Sequence, residues 1–190
     1  MDADVRALHR RAVQGFDARV GAIQDDQWGA PTACSDWDVR GLVNHLVYEN
    51  VWTPEMFAGR TVTEVGDRFE GDLLGDDPGR AWADSARVAV AAIADEGALD
   101  RIVHLSFGDF PGRDYAMQLF ADHLIHTWDL ARGTGGDERL DPELVEACDA
   151  WFAPAVEQAY RSAAATGPAV EVPDDADLQT RLLARFGRRA

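Results

Sequence analysis

Lysine is missing from this 190-residue chain: its 18 basic residues are all arginine, against 34 aspartates and glutamates, and the formal net charge is −16. That excess of negative charge repels phosphate backbones. The arginine-rich end is too short to form a basic patch, so nucleic-acid binding is not expected. Cysteine is scarce as well. Cys34 and Cys148 are too few for a disulfide scaffold, and neither lies in a C-x-x-C pair or beside a histidine, so two reduced, partly buried thiols are expected rather than a nucleophile. Thiol chemistry, if any, would use a sulfur that is not the protein's own. Long apolar runs are lacking too, and the start, Met1-Asp2-Ala3-Asp4, is acidic where a secretory signal is basic and then apolar. The expectation is a cytoplasmic protein without a membrane partner.

What the chain does have is a 46% hydrophobic content, enough for one well-buried core, and its length predicts one domain spanning 1–190. Val5, Leu8, Ala12, Val13, Phe16, Val20 and Ile23 form a helical stripe within 3–24, beside which His9 reads as a solvated or merely packed imidazole. Gly29 and Pro31 mark a loop. Ser35, with Asp38 three residues on, has the form of a capping box and predicts a second helix from about Asp36, with Val39, Leu42, Val43, Leu46 and Val47 as its buried face. From Val51 to Gly79 the period fails apart from a short turn near 55–57, and an irregular excursion is predicted. Pro78 opens a third helix through Ile93.

Residues 98–109 switch to a period of two, with Gly108-Asp109 and Pro111-Gly112 as turns, and predict a short hairpin that carries His104 in a structural role. A helix that is apolar on nearly every side then runs to the Gly133–Gly136 stop. A last long helix is predicted from Asp141-Pro142 to Ala165, followed by an extended tail over 168–176 and a short closing helix over 178–186.

The histidines carry the functional signal. Asp122 and His126 stand four apart on the all-round apolar helix, share a face and can close on one cation, while His45 on the second helix is the natural third ligand. Two histidines and a carboxylate leave positions open for water or a substrate atom. Zinc is the first expectation, and nickel or iron would accept the same donors. His123 competes with Asp122 through its i, i+3 relation to His126, but reads better as an outer hydrogen-bonding or surface histidine. Glu49 and Asp129, at helical spacing from His45 and His126, are candidates for orienting those rings or binding substrate. Trp82 and Trp128 read as core.

The blocks Trp37-Asp38-Val39-Arg40-Gly41-Leu42-Val43-Asn44-His45 and Asp122-His123-Leu124-Ile125-His126-Thr127-Trp128-Asp129-Leu130-Ala131, with the closing Leu182-Leu183-Ala184-Arg185-Phe186-Gly187-Arg188, resemble the DinB-like superfamily. The nearest branch is the set of metal-binding proteins similar to the N-terminal domain of mycothiol-dependent maleylpyruvate isomerase. The resemblance implies an all-α four-helix bundle of up-down-down-up type with short extra helices and a small hairpin, and a divalent ion on His45, Asp122 and His126. It also implies a mechanism in which a low-molecular-weight thiol such as mycothiol attacks a small electrophile, in a transfer or an isomerisation.

There are two departures from the isomerase. Its acid is a glutamate where this chain has Asp122. Its second, C-terminal domain contributes to the active site, whereas this chain has a short tail, so maleylpyruvate isomerisation itself is not the expected reaction. A non-catalytic metal-stabilised binding module and a metal-dependent hydrolase are the alternatives, and apolar helix faces of such bundles favour a homodimer.

Overall fold

The computed structural model of the protein describes residues 4–34, 37–162 and 166–190. Its frame is four long helices, α1 (Val5–Val20), α2 (Val39–Phe57), α4 (Pro78–Ala94) and α5 (Gly112–Thr134), with α3 (Val62–Val65) between α2 and α4. Helix α1 packs along α5 and α2 along α4, with α4 also against α1 and α2 against α5. After α5 come α6 (Pro142–Trp151), α7 (Pro154–Ser162) and α8 (Leu178–Arg185). The all-α bundle expected from the sequence is what is observed, together with its small hairpin. None of the described helices is long and apolar enough to cross a membrane.

The helix starts follow from local chemistry. Aspartate side chains at Asp4, Asp38, Asp77, Asp141 and Asp177 each accept a hydrogen bond from a backbone N–H of the following turn, which satisfies donors that the helix itself leaves without partners. For α2 this moves the start past the capping-box expectation: the cap is Asp38, bonded to Gly41 N at 2.7 Å, and Ser35 and Asp36 lie outside the described residues. Helix α2 also runs on through Pro54 to Phe57, where the sequence predicted an irregular stretch. The proline costs one backbone bond in the helix interior, yet Trp52, Met56 and Phe57 are buried and hold the last turn in place. The 58–77 excursion is pinned back onto α2. Glu55 pairs with Arg60 and Arg68, and Asn44 accepts from Leu73 N and donates to Gly71 O.

The hairpin pairs β1 (Ile102–Leu105) with β2 (Gly108–Pro111) antiparallel, Leu105 opposite Gly108. The turn is therefore Ser106-Phe107, and Gly108, Asp109 and Pro111, expected in turns, lie in the second strand. His104 sits on β1 and bonds Asp109 at 2.7 Å, a structural role as expected. Gly112 starts α5 where a side chain has no room: a Cβ there would meet the Ala98 carbonyl oxygen at 2.2 Å and the Phe57 ring at 2.8 Å.

The predicted long helix over 141–165 is two helices, since Pro154 cannot continue the ladder from α6. Ala165 lies outside the described residues. Helices α6 and α8 close one end of the core, with Leu144, Val145, Cys148, Phe152, Leu182, Leu183 and Phe186 packed on Phe120, Leu124 and Trp128 of α5.

Candidate metal centre

Helix α5 is buried along most of its circumference between Leu119 and Ala131, so its polar side chains must find partners inside the protein. Asp122 and His126, one turn apart, meet His45 from α2. His45 Nε2 lies 3.3 Å from one oxygen of Asp122, and His126 Nε2 lies 3.3 Å from the other. One donor atom from each of the three falls within 4.8 Å of the other two.

The spacing is informative. A tetrahedral ion with ligand bonds of about 2.0 Å sets its donors about 3.3 Å apart, while the hydrogen bond that His126 makes to Asp129 is 2.8 Å. The donor set, two imidazole nitrogens and a carboxylate all facing one point, therefore fits a borderline divalent cation. The Asp122 side chain keeps 31% of its surface exposed while that of His126 keeps 7%. The cluster is thus reachable from solvent on the Asp122 side.

The His126 ring is fixed from behind. Its Nδ1–H donates to Asp129 Oδ2, and Asp129, with no exposed surface, accepts from Arg188 Nη2 at 2.7 Å. Arg188 reaches it because α8 ends in an αL glycine: Gly187 (φ +83°) lets its own N–H bond Ala184 O and that of Arg188 bond Leu183 O, a Schellman closure that turns the chain back towards α5. With Nδ1 engaged, Nε2 is the nitrogen presented to Asp122, an arrangement common behind metal-ligating histidines. Of the two candidates for orienting the rings, Asp129 is the one hydrogen-bonded to its histidine. His45 is steadied differently, by stacking on Trp37 at 4.3 Å between ring centroids.

Electrostatics follow this geometry. Burial works against charge on His126, but the Asp122 and Asp129 carboxylates outweigh it and raise the imidazole to about 9. Asp122, opposed by burial, is nevertheless held well below the usual carboxylate range by His126 and His45. Burial pushes Glu49, one turn beyond His45, up to about 7, with Asp122 adding to the rise and the two imidazoles opposing it.

The other histidines lie elsewhere. His123, expected in an outer shell or at the surface, is wholly buried in the bundle. Its Nδ1–H donates to Leu119 O at 2.7 Å and its ring packs against His9 at 5.2 Å and Trp82 at 5.9 Å. Helical phase explains the difference, since one residue beyond Asp122 the side chain points about 100° away around the helix. His9 is packed rather than solvated, at 1% exposure. Trp82 and Trp128 are core, Cys148 is buried and Cys34 half-buried. Sequence reasoning missed Arg188 and Trp37. Both stood in the blocks that carry the family resemblance, and the glycine before Arg188 was the visible sign of a chain reversal.

Two proteins of Mycobacterium tuberculosis, from strains CDC 1551 / Oshkosh and ATCC 25618 / H37Rv, are each 31% identical to this chain over 170 residues, covering 90% of it and 84% of their own length, and both are described as uncharacterised. No solved structure matches the chain. Residues 9–131, the stretch that holds all of His45, Asp122 and His126, match the family described as the mycothiol maleylpyruvate isomerase N-terminal domain. The bundle, the converging donors and this match together place the chain in that family, to which it belongs.

Proposed function

We propose that the protein is a divalent-metal-dependent enzyme in which a low-molecular-weight thiol of the mycothiol type supplies the nucleophile for transfer to, or isomerisation of, a small electrophilic molecule. The observation that carries this reading is the convergence of His45 Nε2, both Asp122 oxygens and His126 Nε2 at 3.3 Å spacings on a solvent-reachable point. Family membership supports the thiol. Zinc is the ion we assign, held by those three residues, where it would stabilise a thiolate at neutral pH.

The chain's own residues do the rest. Asp122 offsets the ion's charge and Asp129 keeps the His126 lone pair aimed. Arg188 keeps the buried Asp129 ionised. Trp37, stacked on His45, limits rotation of that ring. A thiol nucleophile from outside agrees with a chain whose buried Cys148 is pushed up to about 12 by burial, far from a reactive thiolate.

The test combines elemental analysis with turnover. The purified protein is expected to carry about one equivalent of divalent metal, and His45→Ala and His126→Ala to lose it. Incubated with mycothiol and a panel of electrophiles, the loaded protein is expected to form thiol adducts or isomerised products. Unchanged metal content in the variants would remove the assigned ligands. Saturable thiol binding without turnover would replace the enzyme by a binding module, and thiol-independent turnover would replace it by a hydrolase.

A further inference from the structure

Beside the metal centre lies an open cleft of about 460 Å3 lined by Pro31, Thr32, Ala33, Arg132, Gly133, Gly187 and Arg189. In a chain with 34 acids to 18 bases, none of these lining residues is acidic and two are arginines. The guanidinium of Arg132 is already engaged, by Glu138 at 2.9 Å and by the Trp128 ring, and it sits in the last turn of α5, where it balances the partial negative charge of the helix end. Arg189 is different. It is exposed and meets no acid among the described residues, so its charge is available to a ligand.

Both walls of the cleft are fixed. Thr32 Oγ1 donates to the Trp37 carbonyl and accepts from Cys34 N, which ties the 31–34 loop to the tryptophan stacked on His45. Gly187 and Arg189 flank Arg188, the residue held on Asp129. At Gly133 the loop and helix touch so closely that a Cβ would meet Pro31 O at 3.0 Å. Arg132 lies six residues beyond His126 on α5, about 9 Å along the axis, so the cleft is a neighbour of the metal centre and not part of it.

We propose that this cleft is a binding site for a small oxyanion, the phosphate or carboxylate group of a metabolite, held chiefly by Arg189 of the tail, with the guanidinium N–H groups of Arg132 other than Nη1, the one that bonds Glu138, on the α5 side. A bound oxyanion bridges the tail to α5, two segments that also carry Arg188 and Asp129. This site needs neither the metal nor the thiol and stands or falls separately from the proposed reaction.

The experiment titrates the metal-free protein with inorganic phosphate and, separately, with acetate, by calorimetry at an ionic strength held constant with sodium chloride, so that general screening is matched. Saturable one-to-one binding is expected. Arg189→Gln, at an exposed position, is expected to weaken it about tenfold or more, the effect of losing a charged hydrogen bond. Ala33→Glu, also exposed, is expected to abolish it by placing an acid on the rim. Tighter phosphate than acetate assigns a phosphorylated ligand, and the reverse order a carboxylate. Heats no larger than the chloride control, or equal affinity in Arg189→Gln with an unchanged melting curve, overturn the site.

Discussion

Asp129 has no exposed surface and thus no water to hold its charge, so His126 and Arg188 carry that burden. Removing one partner of a buried pair leaves the other charge uncompensated, at a cost of about 3–5 kcal/mol. Arg188→Met is therefore expected to lower the urea midpoint strongly and to weaken metal binding about 10- to 100-fold, the usual effect of losing a group behind a metal-ligating histidine. Equilibrium unfolding and a chelator competition read the two effects separately. A variant as stable as the parent would show that the contact contributes nothing.

The histidines also set a pH profile for the metal-free protein. An ordinary histidine titrates near 6.5, while burial holds His123 at about 4 and keeps His9 well below its usual value. Between those pH values the unfolded chain binds more protons, so stability falls as pH drops from 6.5 to 4, by up to about 3 kcal/mol for His123. His126, raised to about 9, acts in the opposite sense. Its contribution is complete below 6.5 and is lost as pH rises through 9. Glu49, raised to about 7, loses its contribution as pH rises from the ordinary carboxylate range to 7 and so offsets His123 there. Urea midpoints are expected to fall from about pH 6.5 to 9 as the contribution of His126 is lost. A midpoint still climbing from 6.5 to 9 would contradict the His126 environment.

At the scale of an element, α5 depends on its first residue. Gly112→Ala pushes a methyl against the Ala98 carbonyl and the Phe57 ring, and backbone cannot step aside as a flexible side chain can. Overpacking of this kind costs about 1–3 kcal/mol. A fall in the melting temperature of several degrees is expected, with the hairpin and the start of α5 losing hydrogen-exchange protection first. Equal protection in variant and parent would show that Ala98 moves freely. The element boundaries that periodicity misplaced were those where burial overrode a local signal. Pro54 reads as a stop but sits in a turn held by Trp52, Met56 and Phe57, whereas Pro154, with no buried residue in the helix that follows, does end its helix.

Across the whole molecule a net charge of −16 acts against compactness through self-repulsion. Screening by salt is expected to raise the melting temperature of the metal-free protein between about 10 and 150 mM sodium chloride, where the Debye length falls from about 30 to about 8 Å. Scanning calorimetry at several salt concentrations checks this, and a flat or falling response would mean that local ion pairs such as Arg188–Asp129 dominate instead.

The pattern of residues by itself determined the helical class, the four long helices, the hairpin, and the shared face of Asp122 and His126. Period, caps and i, i+4 spacing are local properties, readable along the chain. Only the tertiary structure decided that His45 and Asp122, 77 positions apart in the sequence, point at one spot, that His123 turns away into the core with His9, and that an arginine two residues from the end of the chain secures Asp129. Those facts depend on how the helices are rotated against one another. Packing of side chains from the whole bundle fixes that rotation, and no single window of sequence contains it.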